Sequence, residues 1–154
     1  MRYIRGYTEI VRLLLDNGAD VNVKDNADGT ALVFAVSKGS SEIVRLLLDK
    51  GADANENDKL GQILLIIATD NSHSEIMQLL LDNGADPNVK DRYGHTALMR
   101  VASVYHESPN SWYALFVSAT EMAKILLDAG ANVNLKDDTE GRTALTPIFI
   151  KKLG

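Results

Sequence analysis

Residues Glu42 to Asp53 read EIVRLLLDKGAD, and this stretch decides the fold. Ile43, Val44, Leu46, Leu47 and Leu48 share one broad helical face, leaving Glu42, Arg45, Asp49 and Lys50 at its edge or in water. Gly51 follows and supplies the left-handed backbone at which helices end. The same block recurs as EIVRLLLDNGAD from Glu9, EIMQLLLDNGAD from Glu75 and EMAKILLDAGAN from Glu121, so the first two steps are 33 residues and the third is 46. A second marker runs in phase with it: TALVFAV from Thr30, ILLIIAT from Ile63, TALMRVA from Thr96 and TALTPIF from Thr143. Thr30, Thr96 and Thr143 stand just before short apolar runs, as N-caps do. Two short helices cannot bury their own apolar faces, but stacked pairs form a continuous core. The expected architecture is an all-α solenoid of helix-turn-helix units, with Asp- and Asn-rich turns forming short hairpin-like loops between them.

The totals agree with one folded domain. The chain has 154 residues, is 45% hydrophobic and 24% charged, and carries 3 prolines. Its formal net charge of −5 argues against a nucleic-acid binder, which needs basic residues to displace counterions from phosphates. There is no cysteine, so thiolate chemistry and disulfides are absent. The apolar stretch near the start is broken by Glu9, Arg12 and Asp16, which makes an amphipathic helix and not a signal-peptide core. The run from Ile63 to Thr69 is too short to span a membrane. A soluble protein with the cytoplasm as default location, and no membrane partner, is expected.

These markers resemble the ankyrin repeat family, and the likeness covers nearly all of the chain outside one insertion. The family pattern is carried by Asp91, Gly94, Thr96-Ala97-Leu98-Met99, Gly84-Ala85-Asp86 and Asn88. Its histidine is replaced by Val33, Ile66, Met99 and Thr146, its proline by Ala31, Leu64, Ala97 and Ala144, and Asp28 stands where a glycine is expected. Losing the Thr–His pair should remove local hydrogen bonds worth about 1 kcal/mol each, which lowers stability without changing the fold. The resemblance implies a protein-binding scaffold or adaptor with no cofactor. It also implies contact through the hairpin tips at 24–28, 57–62, 90–95 and 137–142 and through the inner face at Ser37, Lys38, Asp70 and Asn71. Carried over residue by residue, the candidate contacts on the tips are Lys59, Leu60, Gln62, Arg92, Tyr93, His95 and Arg142.

A single domain over 1–154 divides into a partial repeat 1–23, repeats 24–56, 57–89 and 90–136, and a partial repeat 137–154. Residues 1–8 are too few for a first helix, so the second helix of repeat one should begin the stack, and Pro147 should disturb the last one. The incomplete terminal repeats either carry a polar outer face or pair with another copy, which makes a self-associating ankyrin fragment with a structural role the alternative function. Repeat four is longer by thirteen residues, placed near 104–116 between its two helices, and one more residue is added near Asp137-Asp138. The insertion holds Tyr105, Trp112 and Tyr113. Two readings stay open for these aromatics: they fold back over the core, or they contact the partner.

Other chemistry finds no support. His73, His95 and His106 come from a helix-preceding turn, a tip and the insertion, with no pair at metal-ligand spacing. Asp53 to Leu64 fails as a calcium loop, because Asp58 stands at the obligatory glycine and Leu64 at the closing glutamate. No nucleophile or base has an orienting neighbour at a recognisable spacing, so the chain is not expected to be an enzyme.

Overall fold

The computed structural model describes residues 2–57, 63–104 and 112–146, with side chains left undescribed at 2–6, 104 and 112–117. Among the described residues seven helices follow one another: α1 (Arg2–Asp16), α2 (Ala31–Ser37), α3 (Ser41–Asp49), α4 (Leu64–Asp70), α5 (Ser74–Asp82), α6 (Ala97–Val104) and α7 (Trp112–Asp128). They pack as hairpins α2/α3, α4/α5 and α6/α7. First helices α2, α4 and α6 form one row, and second helices α1, α3, α5 and α7 form another. The core lies between the rows and is filled by Leu32, Leu47, Leu64, Leu65, Ile76, Met77, Leu80 and Leu126. Among the described residues the β-type pairing is a single bridge between Asn57 and Ile63, so the all-α expectation holds.

Identical local chemistry closes each second helix. Gly51 has φ 89°, its N–H donates to Leu48 O and the next N–H, of Ala52, donates to Leu47 O. These two bonds make a Schellman cap, repeated at Gly18, Gly84 and Gly130. Thr30 and Thr96 accept from the N–H groups of Val33 and Met99, as N-caps should. Thr143 behaves differently: its own N–H donates to the Thr146 hydroxyl. Thr146 occupies the family's histidine position, so a local bond survives there despite the substitution.

Asparagines tie neighbouring repeats together beneath the tips. Asn22, Asn55 and Asn88 donate from Nδ2 to the carbonyls of Gly51, Gly84 and Gly130, each in the following repeat. Asn55 and Asn88 also accept, from the N–H groups of Asp86 and Asn132. On the second-helix row, Thr8 bonds to Glu42 and Lys50 to Asp16.

Residues 2–8 do not stand apart from the first second-helix: they run into it, making α1 a helix of 15 residues. Tyr7, Ile10, Leu13 and Leu14 on α1 are exposed, whereas Leu46 and Leu47, their counterparts of Leu13 and Leu14 on α3, are buried. The insertion prolongs α7 to 17 residues, against nine in α3 and α5, and so takes up Trp112 and Tyr113 as helix. Pro147 and Tyr105 lie outside the described residues. The two described turns within hairpins differ: Gly39 takes φ 71° beneath the His73 ring, while Ser72 takes φ 57° at the equivalent position.

Candidate protein-interaction surface

Each described tip is organised by one aspartate. In repeat four, Asp91 Oδ1 accepts from the N–H groups of Tyr93 and His95 at 2.8 and 2.9 Å, and its own N–H donates to His95 O. Asp91 Oδ2 receives Arg100 Nη2 at 2.8 Å, tying the tip to α6. The Asp91 side chain is 5% exposed. Burial alone would raise its proton affinity, but the His95 and Tyr93 N–H groups and the Arg100 guanidinium outweigh that and hold the carboxyl below its ordinary range. Asp25 and Asp137 repeat the arrangement. Bonds from the N–H groups of Glu140 above all, with those of Arg142, Thr139 and Gly141, lower the Asp137 carboxyl, against a smaller upward push from burial.

The rigid turn presents its neighbours outward. Tyr93 is 53% exposed. The Arg92 guanidinium carbon lies 5.7 Å from its ring centroid, within reach of a cation–π contact. The His95 ring centroid is 6.2 Å from that of Tyr93, and His95 Nδ1 is 3.8 Å from Asp91 Oδ2. The repeat-five tip (137–142, tip five) braces the repeat-four tip (90–95, tip four): Lys90 Nζ meets Asp138 Oδ1 at 2.7 Å, and the Asp138 backbone lies against Gly94. Asp138 belongs to the segment with the one-residue excess.

The structure therefore brings Arg92, Tyr93 and His95 together. Arg142 sits on the next tip at the position equivalent to His95, and its guanidinium pairs with Glu140 of its own turn. Lys59, Leu60, Gln62 and Tyr105 lie outside the described residues, as do the side chains of Trp112 and Tyr113.

Two features escaped the sequence reading. Phe34 on α2 is 53% exposed and its ring lies against Gly29. It was hidden inside the apolar run TALVFAV. Phe34, Ile67 and Arg100 share one register position, which is exposed at Phe34, half-buried at Arg100 and buried at Ile67. The second is Asp70 at the end of α4, named only as an inner-face position. Although the residue is exposed, crowding around its carboxyl pushes the proton affinity up; the Asp91 charge adds to this and Arg100 opposes it.

Paired helices stacked in two rows, capped alike and joined by aspartate-centred tips, define a helical-repeat scaffold. The family model described as Ankyrin repeats (3 copies) matches residues 2–91 and 65–148. This chain belongs to the ankyrin repeat family. Comparison with curated proteins finds no significant match. Ankyrin repeats are protein-binding scaffold modules and not catalytic ones. Among the described residues, no group of three His, Asp or Glu is placed to hold a metal, and no helix is long and apolar enough to cross a membrane.

Proposed function

We propose that the chain is an adaptor that engages a protein partner through the repeat-four tip and the adjoining inner face. The observation that carries the reading is Tyr93, exposed beside Arg92 on a turn whose backbone is fixed by buried Asp91. An aromatic and an arginine held in place lose little conformational freedom on binding, which is what an interface anchor requires. His95 completes the patch, and Arg142 extends it along the next tip. Lys59, Leu60, Gln62, Tyr105, Trp112 and Tyr113 enter the proposal from the sequence alone.

The test is affinity capture with cross-linking, using as baits the intact chain, a Tyr93→Ser/Arg92→Ser variant, and a chain with residues 104–116 replaced by a short Gly-containing turn. Circular dichroism checks that each bait is folded. A protein held by the intact chain and lost from the tip variant supports the reading; equal retention on all three baits removes it.

Self-association is a second reading, favoured by the exposed stripe Tyr7, Ile10, Leu13 and Leu14 on α1 and by exposed Leu145. Leu145 corresponds to Leu32 and Leu98, which are buried. Sedimentation velocity over a dilution series tests it, and a monomer at every concentration excludes it.

A further inference from the structure

The inner faces of α2, α4 and α6 carry an uneven chemistry that the tips do not share. Phe34 on α2 stands largely exposed, whereas Ile67, its counterpart on α4, is 7% exposed. One turn beyond Ile67 is Asp70, whose carboxyl receives no hydrogen bond or ion pair among the described residues. Arg100 on α6 is the cation whose charge reaches it, but that guanidinium is already bonded to Asp91. Two carboxylates thus share one cation, and the unpaired one is Asp70. Partial burial weakens its hydration, and its upward-shifted proton affinity agrees with a negative charge that lacks compensation.

We propose that this inner face receives a partner segment presenting a lysine or arginine to Asp70 beside an aromatic or aliphatic side chain that packs on Phe34. The proposal rests on the adaptor reading and specifies the partner's chemistry. Charge complementarity argues for it: a cation arriving at Asp70 regains for the carboxylate the partner that Arg100 does not provide, and the chain's net charge of −5 draws basic segments in. Neighbouring first helices lie about 8–10 Å apart, and Asp70 is roughly 4.5 Å further along its axis than the Phe34 register position. The two anchors are therefore about 10 Å apart. Side chains three residues apart in a polyproline-II segment, or seven apart on a helix, lie on one face and span about that distance. Lys38, the C-cap of α2, is exposed and is not among the charges that act on Asp70. An acidic segment would meet both Asp70 and Asp91.

The experiment is selection from a random twelve-residue peptide display library on the immobilised full chain. Enriched peptides are then re-measured on Asp70→Lys, Phe34→Ser and Tyr93→Ser variants whose helicity matches the parent. Asp70, Phe34 and Tyr93 are exposed, so each variant should fold. The expected result is enrichment of a basic residue near an aromatic or aliphatic one. Affinity should fall at least about tenfold on Asp70→Lys and on Phe34→Ser, and should weaken with added salt. Acidic enriched sequences, no enrichment, or basic peptides that bind Asp70→Lys as tightly as the parent would overturn the proposal. Peptides lost on Tyr93→Ser but unchanged on Asp70→Lys would sink it while leaving the tip reading intact; peptides indifferent to all three variants would sink both.

Discussion

The Thr30 hydroxyl donates a 2.6 Å hydrogen bond to Glu56 Oε2, linking the start of α2 to the segment that enters the next tip. Thr30 is 1% exposed and the Glu56 side chain 9%. Lys24 Nζ lies 3.8 Å from the other Glu56 oxygen. Glu56 stands where the other copies carry Val23, Val89 and Leu135, so a carboxylate occupies an otherwise apolar position. One step along the stack, Ile63 and Val89 take the places of Thr30 and Glu56.

A double-mutant cycle follows from this pair. Thr30→Ile should cost about 2–4 kcal/mol, because it leaves a largely buried carboxylate short of a donor and removes an N-cap. Thr30→Ile/Glu56→Val copies the Ile63 and Val89 arrangement and should recover most of that loss, since removing both partners also removes the desolvation cost. Urea unfolding of the single and double variants measures the coupling. Strictly additive losses would show that the two side chains do not depend on each other.

Asp91 and Asp70 should affect stability with opposite dependence on pH. The Asp91 carboxyl is held low in the fold, so on acidification the unfolded chain takes up the proton first. Its contribution is full above the unfolded value of about 3.9 and disappears as pH falls through the lower folded value. Asp91→Ala should cost about 2–3 kcal/mol at neutral pH, through the lost N–H and Arg100 bonds, and should flatten the acid limb of the stability curve. Asp70 is shifted upward, so the folded chain binds its proton more tightly and stability falls as pH rises through that folded value. Asp70→Asn should therefore raise the melting temperature at pH 7, with a smaller gain or none at pH 3. Thermal melts across pH 3–7 check both; a lower melting temperature for Asp70→Asn at pH 7 would contradict the assignment.

Gly94 and Gly84 share a left-handed backbone but differ in their surroundings, with φ of 78° and 87°. A Cβ on Gly94 would come within 2.3 Å of the Asp138 backbone nitrogen, whereas one on Gly84 meets nothing within 4 Å. Gly84→Ala should cost about 1 kcal/mol, the conformational penalty alone. Gly94→Ala should cost about 2–4 kcal/mol and displace tip five, breaking the Lys90–Asp138 pair. Chemical denaturation gives the difference, and equal costs would show that tip five does not press on tip four.

The helices, their order and their ends were legible in the sequence, because apolar periodicity and a glycine at the cap act within a few neighbouring residues. The Asp- and Asn-rich tips could be read for the same reason. Among the candidate contacts, Arg92, Tyr93 and His95 were legible as a group because one turn holds all three. The tertiary structure alone decided that Glu56 is shielded by Thr30, that Asp138 closes on Gly94, that Phe34 stays exposed while Ile67 is shaded, and that Arg100 is committed to Asp91 and leaves Asp70 without a partner among the described residues. The Thr30–Glu56 and Asp91–Arg100 bonds lie within single repeats, whereas Asp138 with Gly94 and Asp70 with Arg100 join different ones. Their distances depend on how one hairpin lies on the next, and that placement is set by the packing of the whole stack.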